Sequence, residues 1–458
     1  MTRGVAAVAL GCLLACSGYV SRVEPTAPEL PPNVLVVVLD DVGRDRVRAF
    51  GGLGPPTPTL DALAAEGVKF PHTWSMPVCS PTRASILTGR YPHHTGIGRI
   101  VDSWKDEPEL AEAEITLPEM LGRSRWTWDS SMVGKWHLGS RRSGPPETHP
   151  GRQGFRWWAG TLGNLRDSYG DGKSAEWGYF RWMKNTNGQV AEASGYVTTD
   201  TADDAIDRIG AMTEPWLLYV AFNAAHFPTH VPPDELHSFD RLKESSDDAD
   251  KYDAALEAVD QELGRVLAAM SPELRARTYV FVVGDNGTPD FAVRPPDDPE
   301  RAKGSVYELG VGVPLVVTGP GVRRGARSDA LVSTADLFAT VAEIAAVEPS
   351  ALGVPIDGVS FLTSTRNPSL AGERRALFTE KLRSGDGDGE GREQQAVSDG
   401  RYTLIVDRRK GGQVESLYDG ERDPRQSRDL LERSRGLDPE AQAAYDALAA
   451  ELTRLRSD

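Results

Sequence analysis

The chain has 458 residues, with 51 Lys+Arg against 67 Asp+Glu, a formal net charge of −16. A hydrophobic share of 39% beside 26% charged residues suits a protein with a sizeable core and excludes collagen-like or disordered chains. The acidic excess argues against nucleic acid as a partner, because such binding draws on Lys and Arg, and no run of ~20 apolar residues is present to span a membrane.

In chain order, Arg3 precedes an apolar run from Val5 to Ala15 that is too short to cross a bilayer. Residues 1–15 therefore read as an export signal. Leu13-Leu14-Ala15-Cys16 resembles a bacterial lipobox, which makes Cys16 the expected site of a lipid anchor in the cell envelope. Residues 16–32 hold Pro25, Pro28, Pro31 and Pro32 and suit an extended tether. With Cys16 acylated, Cys79 has no disulfide partner in a compartment that favours disulfides. It is then either buried and inert or chemically used.

Asn33 to Leu39 is a continuous β-branched run, the pattern of a strand buried on both faces of a largely parallel sheet. Trp216 to Phe222, Thr278 to Val283 and Val313 to Thr318 repeat it. Helical patterns lie between, at Thr59 to Glu66, Thr116 to Leu121, Asp200 to Ile209, Lys251 to Met270 and Thr334 to Ala345. The expected fold is α/β: a large, mostly parallel mixed sheet flanked by helices over 33–351, with its ligands at the carboxyl ends of the strands. From 352 to 458 the pattern shortens to strands at Ala376 to Glu380, Tyr402 to Val406 and Ser416 to Tyr418, then a helix from Pro439 to Arg456. That stretch reads as a smaller antiparallel-sheet-plus-helix domain. The Gly/Asp tract Ser384 to Arg392 reads as a surface loop, and Val397 at the twelfth position excludes an EF-hand there.

Some motifs fail. His226 and His230 have zinc-helix spacing, but Pro228 between them breaks the helix. Neither a Gly-x-Ser-x-Gly elbow nor a phosphate loop is present.

The chemistry gathers at strand ends. Asp40-Asp41 follow the first strand and Asp285-Asn286 follow the third. Adjacent carboxylates that lose hydration are costly unless a cation holds them. An all-oxygen set suits Ca²⁺ or Mg²⁺ rather than zinc.

Cys79-Ser80-Pro81-Thr82-Arg83, continuing to Leu87-Thr88-Gly89-Arg90, resembles the signature of the formylglycine-dependent sulfatases of the alkaline phosphatase superfamily. Gly134-Lys135-Trp136-His137-Leu138-Gly139, Ala225-His226-Phe227-Pro228, Gly284-Asp285-Asn286-Gly287 and Lys303-Gly304-Ser305 resemble further blocks of that family, in family order. Leu417-Tyr418-Asp419 with Asp423-Pro424 looks like its C-terminal signature, whereas Leu309 and Gly312 stand where many relatives have Gly and Arg.

The resemblance implies an arylsulfatase-type hydrolase that cuts sulfate esters to an alcohol and inorganic sulfate. A formylglycine-generating enzyme would oxidise Cys79, and residue 79 would join Asp40, Asp41, Asp285 and Asn286 at the metal. Lys135, Lys303 and Arg83 would neutralise the sulfuryl oxygens, with Arg83 also holding residue 79. His226 would bind sulfate and assist the leaving group, and His137 would take the proton that lets sulfate depart. The expected substrate is a sulfated small molecule or carbohydrate. Trp157, Trp158, Tyr169, Trp177, Tyr179, Phe180 and Trp182 form either a stacking face for it or a small satellite core. Alternative readings are a phosphonate monoester or phosphodiester hydrolase with the same residues, and a non-catalytic surface lipoprotein.

Overall fold

A computed structural model describes residues 1–2, 30–167, 177–382, 392–432 and 436–456. Cys12, Cys16, Tyr169 and all of the Ser384–Arg392 tract except Arg392 lie outside the described residues. The chain divides into Met1–Leu30 and one compact unit, Pro31–Asp458, which carries every sheet.

Ten strands make the main sheet. Its middle is five parallel strands in the order Thr278–Gly284, Asn33–Leu39, Trp216–Ala221, Asp129–Lys135 and Trp157–Thr161. Beyond the first of these, Leu315–Thr318 and Val68–Lys69 run antiparallel to their inner neighbours, and Ala326–Arg327 closes that edge. Beyond the fifth lies the antiparallel hairpin of Arg181–Thr186 and Gln189–Ser194.

Alternation along the first strand sorts the core into two layers. Val34, Val36 and Val38 face Ile86, Leu87, Leu337 and Phe338. Leu35, Val37 and Leu39 face Leu60, Leu63, Leu256 and Val259. Both faces are covered, which explains why the strand is apolar throughout rather than alternating.

The register brings the parallel strands out level. Leu39 pairs with Gly284, Val38 with Ala221, Gly134 with Ala221 and Lys135 with Thr161. Gly134 has φ 91°, and a Cβ there would sit 1.9 Å from the Ala221 carbonyl oxygen, so this position requires glycine.

Several elements differ from expectation at their ends. The fourth strand starts at Leu315 rather than Val313, since Pro314 has no N–H for a ladder. The long helix begins earlier, at Asp248, because the Asp247 side chain caps it by accepting from the Ala249 amide.

The C-terminal sheet orders Leu377–Lys381, Glu393–Ser398, Tyr402–Arg409 and Gly412–Asp419, all antiparallel. Leu404 and Val406 pack with Leu448 and Leu452 of the helix Pro439–Leu455. Its first strand lies against the main body, where Thr379 Oγ1 donates to Ser75 O at 3.0 Å and Lys381 Nζ to Gly304 O at 3.2 Å. No helix among the described residues is long and apolar enough to cross a membrane.

Candidate active site

Asp40 and Asp41 form the turn directly after the central strand, both buried. Asp41 takes a left-handed φ of 63°, uncommon for a non-glycine residue though Asp adopts it more readily than most. Four bonds hold this turn. Asp285 N donates to Leu39 O at 3.1 Å, Ala225 N to Asp40 O at 3.0 Å, Tyr252 OH to Asp41 O at 2.7 Å, and Asp41 N to Asp285 Oδ1 at 3.1 Å. A strained backbone fixed from several sides is a common mark of functional sites.

Cys79 opens the helix Cys79–Thr88, every residue of which is buried. Arg83, one turn on, points the same way. Its Nε and one terminal nitrogen both reach Asp285 Oδ2, at 3.0 and 2.8 Å, and its other terminal nitrogen donates to Lys135 O at 2.6 Å.

Lys135 ends its strand, and its Nζ lies 2.5 Å from Asp40 Oδ2 and 3.9 Å from Cys79 Sγ. His137, at φ 64°, brings Nδ1 to 3.2 Å from Cys79 Sγ. Between them Trp136 turns the other way, into the core. Its indole donates to His149 Nδ1 at 3.0 Å, and His149 Nε2 donates to Leu110 O at 3.0 Å. Sequence reasoning missed His149, which lies far from every motif. Two signals could have found it: Trp136 needs an acceptor when buried, and Gly139 leaves room for a neighbour, since a Cβ there would meet the His149 Cβ at 2.7 Å.

His226 follows the Trp216–Ala221 strand. Its Nδ1 bonds Phe227 O at 2.7 Å, and Nε2 lies 3.9 Å from Asp41 Oδ2. Lys303 Nζ is 2.5 Å from Asp41 Oδ1, and the Asn286 amide donates to the same oxygen at 2.8 Å. The fold thus brings together all ten residues singled out above: Asp40, Asp41, Cys79, Arg83, Lys135, His137, His226, Asp285, Asn286 and Lys303.

The donor set fits a hard cation. Asp40 Oδ1 and Asn286 Oδ1 are buried oxygens without a hydrogen-bond partner, an arrangement that costs free energy unless something occupies it. Ligand atoms of Asp40, Cys79 and Asp285 lie within 4.8 Å of one another, as do those of Asp40, Asp41 and His226.

Burial raises the Asp40 carboxyl, but the combined pull of Lys135, His226, Arg83 and Lys303 carries it well below the usual carboxylate range. Asp285 is pushed up to about 6 by burial and then by the Asp40 charge, against Arg83. His137 and His226 are both held low by burial and then by cations, Lys135 and Arg83 for His137, Lys135 and Lys303 for His226, the latter at about 4. Burial raises the Cys79 thiol against the pull of Lys135 and Lys303. A thiol held protonated is a poor nucleophile.

The aromatic stretch is mostly satellite core. Trp177, Tyr179 and Trp182 are buried, and the Tyr179 OH lies 2.7 Å from both Asn223 O and His226 O, its one proton shared between them, so it supports the His226 loop. Phe180 alone among the described members is largely exposed.

A family model described as Sulfatase matches residues 32–347. The N-acetylgalactosamine-6-sulfatase of Canis lupus familiaris is 31% identical over 363 residues, covering 73% of this chain and 66% of that protein. The chain thus spans 66% of the length of the N-acetylgalactosamine-6-sulfatases it matches. The Ulvan-active sulfatase of Formosa agariphila is 28% identical over 403 residues, covering 82% of this chain and 73% of that one. The crystal structure of Ps i-CgsB superposes with a TM-score of 0.75 at 23% identity, covering 93% of this chain and 92% of that one. BT4656, solved in complex with its substrate D-glucosamine-2-N,6-O-disulfate, gives 0.71 at 18% identity over 93% of this chain and 99% of that one. These two likenesses show the fold. With its family model matched over the whole main body, the chain belongs to the sulfatase family.

Proposed function

We propose that this protein hydrolyses sulfate esters of carbohydrates, with residue 79 as the nucleophile after oxidation of Cys79 to formylglycine by a formylglycine-generating enzyme. The observation that carries the reading is the meeting of Cys79 Sγ with His137 Nδ1 and Lys135 Nζ beside the buried, unpartnered Asp40 Oδ1. Formylglycine supplies a hydrated aldehyde with one hydroxyl for attack and a second for release, and a Ca²⁺ or Mg²⁺ ion held by Asp40, Asp41, Asp285 and Asn286 supplies Lewis-acid charge stabilisation.

The chain's own groups do the rest. Arg83, clamped between Asp285 and Lys135 O, fixes the floor beneath residue 79. Lys135 and Lys303, on either side of the Asp40-Asp41 pair, place fixed positive charge where sulfuryl oxygens arrive. His226 keeps its Nδ1 on Phe227 O, which leaves Nε2 to meet the ester. The negative charge of an incoming sulfate raises the proton affinity of Nε2, and the imidazolium then donates to the leaving oxygen. His137, held neutral, accepts the proton at residue 79 that accompanies sulfate release.

Carbohydrate esters are favoured because the relatives above are named for sulfated sugars or solved with one. Export through residues 1–15 and lipid anchoring at Cys16, with 16–32 as tether to domains at 33–351 and 352–458, complete the reading. Cys16→Ser in a host that processes lipoproteins then frees the protein from the membrane fraction, and an unchanged fraction removes the anchor.

Peptide mass spectrometry tests the mechanism. The peptide holding residue 79 of active protein lacks the cysteine sulfur and reacts with aldehyde reagents. Full sulfate release by protein with an intact Cys79 thiol overturns the reading.

A further inference from the structure

The Trp157–Thr161 strand runs out beside the Lys135–His137 segment, with Trp136 N donating to Thr161 O at 2.9 Å and His137 N to Leu162 O at 2.8 Å. The chain continues to Arg166, whose guanidinium carbon lies 5.3 Å from the centre of the Phe227 ring. Phe227 directly follows His226 and accepts its Nδ1 bond. The Arg166–Phe227 pair therefore bridges the loop that flanks His137 and the loop that carries His226.

Both members face solvent. Phe227 is 48% exposed, which is unusual for a ring this close to a buried polar centre, and Arg166 is exposed. Arg166 makes one long bond, from Nε to Trp177 O at 3.4 Å, and among the described residues no carboxylate pairs with it. The nearby half-buried Arg181, by contrast, is tied to Glu192 at 2.7 Å.

We propose that Phe227 and Arg166 form a leaving-group subsite selecting a pyranose that carries a second anionic group, sulfate or carboxylate, beside the ester that is cut. The inference rests on the sulfatase reading. On that reading Lys135, Lys303 and Arg83 take the sulfuryl end and the alcohol departs on the His226 side, where the exposed Phe227 is the next residue in the chain. An aromatic face stacks on the C–H face of a sugar ring. A guanidinium whose terminal nitrogens are unengaged is a planar fork matched to a sulfate or carboxylate, and the ring beneath holds it in place. A protein of net charge −16 repels polyanions at long range, so a doubly charged ligand needs cations placed where it docks.

The test compares three sugars: a pyranose monosulfate, the same sugar with a second sulfate, and the same sugar joined to a uronic acid. Against Arg166→Gln, the loss in kcat/KM on one or both doubly charged sugars exceeds the loss on the monosulfate by tenfold or more, and which of them responds identifies the second anion. Phe227→Ala raises KM for all three, and Phe227→Trp restores it. Titration of the doubly charged sugars into the Cys79→Ala chain reads binding without turnover, and Arg166→Gln weakens it at least tenfold. Equal losses on all three sugars, or binding unmoved by Arg166→Gln, overturn the subsite. Wild-type protein with formylglycine verified at 79 that frees sulfate from none of them overturns the sulfatase reading instead, and the titration still decides the subsite.

Discussion

His137 Nδ1 reaches Cys79 Sγ at 3.2 Å across 58 residues of sequence, while its other ring nitrogen is buried without a partner. The contact joins the first residue of a buried helix to a left-handed turn after a parallel strand. Burial, then Lys135 and Arg83, hold its pKa well below the usual imidazole range, and in the proposed mechanism the ring accepts a proton from residue 79. His137→Gln is expected to lower kcat by about 10²- to 10⁴-fold, the usual span for a general base. Sulfate release at saturating substrate measures it, and a loss below about tenfold, short of that span, counts against this role.

Metal removal is expected to register in stability as well as in turnover. Without a cation, Asp40, Asp41 and Asp285 face one another with Asp40 Oδ1 and Asn286 Oδ1 unpaired. Exhaustive chelation should lower Tm, and Ca²⁺ or Mg²⁺ should restore it. A Tm unmoved by chelation, with metal analysis confirming removal, contradicts the site.

Asp285 is the partner of Arg83, and both are fully buried. Asp285→Ala removes the two-nitrogen contact of the buried guanidinium and leaves it only Asp40 Oδ2 at 3.4 Å and Lys135 O, so the expected cost lies at the lower end of about 3–5 kcal/mol. The denaturant midpoint of the metal-free protein reads this effect apart from cation loss.

His149 gives a pH signature. Burial pulls it down to about 4, with Arg152 assisting and the bond to Leu110 O opposing. The folded state therefore binds fewer protons than the unfolded chain between about 6.5 and about 4, and stability falls as pH drops through that window. His149→Gln keeps an acceptor for the Trp136 indole but removes the titration, so its unfolding midpoint should change less with pH. His230, held at about 3 by burial, contributes a slope of the same sign that the variant retains.

Gly134→Ala tests the close approach beside Lys135. A methyl group 1.9 Å from Ala221 O, at φ 91°, must push the two central strands apart. A loss above about 2 kcal/mol is expected, from strain and clash together. Lys135 moves with its strand, so sulfate release should fall in the protein that remains folded.

The strands buried on both faces were legible because continuous β-branched runs have few other uses. Asn33–Leu39 matches expectation residue for residue. Asp129–Lys135 was not legible. Its Ser130-Ser131 pair and Gly134 hide a fully covered strand, and Ser131 Oγ sits in the sheet as the acceptor for Arg208 Nε at 3.0 Å. The helix Cys79–Thr88 is buried on every side, so no apolar stripe marks it. Glu393–Ser398 opens on Glu-Gln-Gln, although Gln394 and Gln395 are buried. The carboxylate pairs of the site were readable because they stand directly after strands, whereas its cations came only through the family resemblance. The geometry that joins them depends on register, which no local pattern carries.

Cys79 has no exposed surface, and the helix it opens is walled in on all sides. The strand Leu377–Lys381 helps to close that wall, bonding Ser75 O just ahead of the cysteine and Gly304 O just after Lys303. This sets an order of events in the life of the chain. On the proposed function, an enzyme that oxidises Cys79 would have to meet it before the strand that bonds Ser75 O, 304 positions further along the chain, is laid down against it. Under that proposal, maturation and folding would compete for the same thiol. A chain that folded first would then be sealed in its unoxidised form, and the active fraction of a preparation would record which process was faster.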